Sequence, residues 1–87
     1  METIKTLKQW LETNYNKHKE AEPGAVINVF DVEYMQGVSI NVGSPLENIL
    51  IDRPVVKFLD YVIVSAEVGE RKTDDNKSII EIGVTKP

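Results

Sequence analysis

Side chains able to do chemistry are few. His18 is the only imidazole, in the lysine-rich stretch Lys17-His18-Lys19. A general base needs a carboxylate that orients its ring, and no spacing here fixes Glu20 or Glu22 against it. His18 therefore reads as a solvated loop histidine. Asp74-Asp75 is the only adjacent pair of carboxylates, and it lacks the spaced oxygens and central glycine of a calcium loop. It reads as a hairpin tip. The absence of cysteine excludes thiolate metal sites and disulfides. Gly37 and Gly43 flank a strand-like run rather than a phosphate-cradling turn, so nucleotide binding has no support. Asn76-Lys77-Ser78 matches a glycosylation acceptor, but Met1-Glu2-Thr3-Ile4-Lys5 has neither the basic nor the apolar region of a secretory signal. No enzyme, cofactor or metal site is expected.

Eighty-seven residues, 41% hydrophobic and 28% charged, suit one globular domain spanning 1–87. No apolar run approaches the roughly 18 residues of a membrane span, and a cysteine-free chain without a secretory start is expected in the cytoplasm. Net charge is minus four, unevenly spread. Residues 1–22 hold four Lys and four Glu; residues 23–70 hold two basic and seven acidic side chains; residues 71–87 hold four basic and three acidic ones. The middle of the chain, at minus five, would repel phosphate, so a nucleic-acid reader is not expected.

A compact acidic domain without catalytic equipment suits a basic protein partner, reached by electrostatic steering. The candidate partner-binding residues are Asp31, Glu33, Asp60, Glu67 and Glu70, with Tyr34 and Trp10 as aromatic anchors. Each has a plainer reading. Glu67 and Glu70 fit the wet face of an antiparallel strand, and Trp10 fits the lid of a core beneath a helix. Tyr34, beside Met35 at a hairpin tip, is harder to place in a core.

The elements that would position these residues follow from periodicity. Ile4, Leu7, Leu11 and Tyr15 make a helical stripe, with Trp10 on its flank and Thr3 as its cap, predicting a helix over 3–17. After Pro23-Gly24 the period becomes two: strands over 25–33 and 37–43 form a hairpin. Ser44-Pro45-Leu46-Glu47 reads as a capping box opening a helical turn over 45–50, which Asp52-Arg53-Pro54 ends. Val55–Glu70 reads as one long strand or two, with Val62, Val64, Ala66 and Val68 on one face; a polar turn then leads to a strand over 78–85. The expected fold is α+β: an N-terminal helix packed on a four-stranded antiparallel sheet.

Leu7-Lys8-Gln9-Trp10-Leu11, then Tyr15, Gly24 with Ile27, and Gly37-Val38-Ser39-Ile40-Asn41-Val42 with Leu46 resemble a group of bacterial immunity proteins, family fifty-three. These are small partners encoded beside polymorphic or contact-dependent toxins, and the resemblance covers about residues 4–46. The turn here reads Glu33-Tyr34-Met35-Gln36-Gly37-Val38, with Val38 where the family carries Trp. The resemblance implies a non-enzymatic inhibitor that binds a cognate toxin, with Trp10 and Gly37 carried over by position; the acidic middle of the chain makes a basic nuclease the expected toxin. Other classes fit the same residues: an adaptor that homodimerises through the edge of strand 78–85, guarded by Lys77 and Lys86; a phage anti-defence inhibitor; or a ligand-binding or enzymatic domain using the sheet face opposite the helix.

Overall fold

A computed structural model describes residues 6–87. Thr3 and Ile4, the expected cap and first stripe residue of the helix, lie outside them. Helix α1 spans Leu7–Ala21. Its cap is Thr6, whose hydroxyl accepts from the Gln9 N–H at 3.2 Å while the Gln9 side chain accepts from the Thr6 N–H at 3.1 Å. Two further N-terminal amides are satisfied from outside the helix: Leu7 N–H donates to the Tyr61 carbonyl and Lys8 N–H to the Leu59 carbonyl, each at 3.0 Å. The helix runs through Asn14 and Asn16 to Ala21, past the expected stop. Weak propensity yields there to the anchoring of Tyr15, fully buried with its hydroxyl donating to the Ser44 carbonyl at 2.5 Å.

Strands β1 (Val26–Asp31) and β2 (Gly37–Asn41) form the expected hairpin. The capping box expected at Ser44 does not form. Helix α2 covers Leu46–Ile49 with Pro45 in the cap position and no side-chain cap bond. Pro54 does not end that turn but opens another, α3 (Arg53–Val56), where its fixed φ suits a first helical turn. Consequently Val55–Tyr61 is not strand: Val55, Phe58 and Tyr61 bury at helix-like spacing. Strand β3 begins at Val62 and runs to Lys72, and β4 covers Ser78–Thr85.

The four-stranded sheet is mixed rather than antiparallel, in the order β2-β1-β4-β3, with β1 and β4 parallel. Strand 78–85 is therefore internal, and cannot offer the edge expected for dimerisation. Composition explains the exchange. β4 supplies Ile80, Ile82 and Val84 to the core and suits a central position. β3 carries Glu67, Glu70, Arg71 and Lys72 and suits an edge. A register shift between Ile63 and Ser65 also alters the expected facing, setting Ile63, Ala66 and Val68 opposite Val84, Ile82 and Ile80. The three helices lie on one face of the sheet. Leu7, Trp10, Leu11 and Tyr15 of α1 meet Ile27, Val29, Ile40, Ile80, Ile82 and Val84 of the sheet, and Ile49, Val55 and Phe58 close the core.

Candidate functional site

No helix among the described residues lies over the opposite sheet face. One row of side chains crosses all four strands there: Ser39, Asn28, Glu81 and Glu67 are successive partners in register. Ser39 donates its hydroxyl hydrogen to the Asn28 side-chain carbonyl at 2.8 Å. The far half of the row is Glu81 directly opposite Glu67, two carboxylates on adjacent antiparallel strands with Cβ atoms about 5 Å apart. Glu67, Glu70 and Glu81 line a cleft of about 440 Å³ together with Arg71 and Ile79. Among the described residues no ion pair or hydrogen bond engages any of these three carboxylates. Nor do they converge as ligands would: no group of three or more His, Asp or Glu among the described residues is placed to hold a metal.

A second register shift, between Val68 and Lys72, shapes this cleft. It bows β3 around Gly69, where an added Cβ would stand 3.1 Å from a Glu81 carboxylate oxygen. The cleft exists because β3 bulges and because position 69 has no side chain.

The other sequence-derived candidates are scattered. Asp31 is 3% exposed. Its Oδ1 accepts from the N–H of Glu33 at 2.8 Å and of Tyr34 at 3.2 Å, an Asx turn that closes the β1–β2 hairpin. Its charge is spent on that turn, away from the accessible surface. Trp10 is 8% exposed and belongs to the core, with its ring stacked on His18 at 5.6 Å between centroids. Glu33 and Asp60 are exposed at one end of the sheet, whereas Glu70 lies toward the other. Tyr34 is 60% exposed at the hairpin tip, beside Met35 at φ 57°. There it borders a smaller cleft shared with Asp31, Lys57, Tyr61 and Lys86, so the exposed aromatic keeps mixed company, two cations and one carboxylate. Of the seven candidates, Glu67 and Glu70 share one cleft and Asp31 and Tyr34 another.

Glu81 is the residue that sequence reasoning missed. Counting outward from the polar turn near Asp74–Asn76 sets Glu67 across from positions 81–83, so a hairpin count comes within two residues of it. The bulges decide the final register.

Elsewhere the excess charge is structural. The Glu22 carboxylate accepts the Ser78 N–H and so caps the start of β4. That bond, the Ser78 side chain and the nearby Lys72 and Lys77 ammonium groups hold the Glu22 carboxyl below its ordinary range. No helix among the described residues is long and apolar enough to cross a membrane. Comparison with protein-family models, with curated proteins and with solved structures finds no match for this chain.

Proposed function

We propose that this chain is a non-enzymatic, immunity-type inhibitor that binds a cationic partner protein, most simply a basic toxin domain, through the uncovered sheet face. The observation that carries the reading is the direct opposition of Glu67 and Glu81, joined by Glu70 in one cleft where, among the described residues, no ion pair engages any of the three although Arg71 lines the same cleft. Like charges directly across a strand pair cost stability in the free protein. A cationic surface docked on that face turns the same repulsion into attraction, and the three carboxylates are spaced to meet separate Lys or Arg side chains rather than one ion. The acidic middle of the chain adds long-range steering.

The test is complex formation with the product of the neighbouring gene, which the reading expects to encode a basic toxin. A stable complex at micromolar concentration is expected for the parent chain, weakened at least about tenfold in Glu67→Gln/Glu70→Gln/Glu81→Gln, a loss of about 1.4 kcal/mol. Absence of a complex, or equal affinity of the triple variant, rejects the reading.

A further inference from the structure

Strand β2 is an edge of the sheet, and the way its backbone is turned has a chemical consequence. In an antiparallel pair, successive residues alternate between bonding their neighbour strand and facing away from it. Val42 N–H donates to the Ala25 carbonyl at 2.9 Å, and Asp31 N–H donates to the Gln36 carbonyl at 2.6 Å. With Val26 opposite Asn41, that phase turns Val38 and Ile40 toward β1 and leaves Gly37, Ser39 and Asn41 facing outward. The Asn41 carbonyl is met by the Tyr15 hydroxyl at 3.4 Å, so the open groups include both the N–H and C=O of Ser39 and the N–H of Asn41. These groups do not face open solvent alone. A groove of about 290 Å³ runs between β2 and the α2–α3 segment, with Ile49 and Val55 in its floor and Asn48 and Asp52 on its far wall.

Asp52 is the unusual member of that wall. It occupies the N-cap position of α3, where an Asp side chain ordinarily accepts a backbone N–H of its own helix, yet it makes no such bond. Among the described residues it is also the only charged side chain lining the groove. An outward strand edge, an apolar floor and one uncommitted carboxylate are the elements of a receptor for an extended peptide, in which main-chain bonds supply affinity and side-chain pockets supply selection.

We propose that this groove accepts an extended segment of a partner protein as an added strand on β2, with a Lys or Arg of that segment set against Asp52. The main chain of the segment bonds Ser39 and Asn41, an apolar side chain covers Val55 and Ile49, and the cation faces Asp52. The site is separate from the acidic cleft beside β3, since β1 and β4 lie between the two edges.

The test uses the full chain, isotopically labelled, with an acetylated pentapeptide whose one valine and one lysine stand two positions apart among threonines, so that both face the groove, as probe and its glutamate-for-lysine counterpart as control. The lysine peptide should shift the Ser39 and Asn41 amide signals and slow their hydrogen exchange, and the glutamate peptide should not. Asp52→Asn should weaken binding about two- to fivefold, the loss of one exposed ion pair. Ser39→Pro removes an N–H that faces away from β1, so it should preserve the circular dichroism of the fold and abolish binding. Any of three results overturns the proposal: Ser39 and Asn41 amides indifferent to the lysine peptide, equal binding of both peptides by the parent and Asp52→Asn, or the same amide shifts from raising protein concentration alone, which would make a second copy the occupant. The triple glutamine variant at 67, 70 and 81 should bind the lysine peptide like the parent, so failure here and failure of the inhibitor reading are distinguishable.

Discussion

At the scale of single residues, the same side-chain type does opposite jobs in this chain. Asp31 and Glu22 are spent on the fold: one accepts the N–H groups of Glu33 and Tyr34, the other the N–H of Ser78. Glu67 and Glu81 are spent on nothing internal. The difference gives Glu22 a pH signature. Its carboxyl is held below the ordinary range, mainly by the Ser78 backbone bond, so it stabilises the fold above that range and loses this contribution as pH falls through its folded value. Urea unfolding of the parent and of Glu22→Gln from neutral pH to about pH 3 should therefore show the parent more stable at neutral pH and the gap closing on acidification. A gap that stays constant or widens would contradict the assignment. Composition cannot separate spent from unspent carboxylates. Asp31, Glu67 and Glu70 look alike in a charge count, and only the Asx turn at 31–34 and the β3–β4 register distinguish them.

At the scale of elements, much of the architecture was legible because local and global preferences agree. The stripe Leu7, Leu11, Tyr15 is the buried face of α1, and Gly37–Asn41 pairs with Val26–Phe30 as a hairpin. The errors share a cause. Thr6 with Gln9 caps α1, Pro54 opened a turn instead of closing one, and Ser44 gave its carbonyl to Tyr15 while its side chain left α2 uncapped. In each case a residue was capable of two local roles between which the local sequence does not choose; for Ser44 the choice falls to Tyr15, 29 residues away. Strand order was the least visible feature. Adjacent antiparallel hairpins are the default from short connections, and the insertion of β4 beside β1 rests on where the isoleucines bury. One close approach inside the β1–β2 hairpin is checkable. A Cβ at Gly37 would stand 2.4 Å from the Val29 carbonyl oxygen, a backbone atom that cannot swing aside. Gly37→Ala should destabilise the protein by about 1–3 kcal/mol, read as a lowered urea midpoint with an unchanged slope. An unaltered midpoint would show that the hairpin relaxes more freely than its geometry indicates.

At the scale of the whole molecule, the sheet divides the protein into a closed side and an open one. Helices α1, α2 and α3 bury the apolar face, while the other face carries the row Ser39, Asn28, Glu81 and Glu67 to the solvent. The open side holds a cost in the free state: removing one member of the opposed pair, as in Glu81→Gln, should raise stability by about 0.2–1 kcal/mol at low salt and by less at high salt. A protein that becomes more stable as it loses partner affinity is the expected mark of a surface shaped for binding rather than for folding. The most direct test is the association rate with the cationic toxin domain expected from the neighbouring gene, measured against ionic strength for the parent and for Glu67→Gln/Glu70→Gln/Glu81→Gln. The account predicts that the parent associates faster at low salt and that the two rates approach each other as salt rises. Rates that coincide at every ionic strength would contradict it.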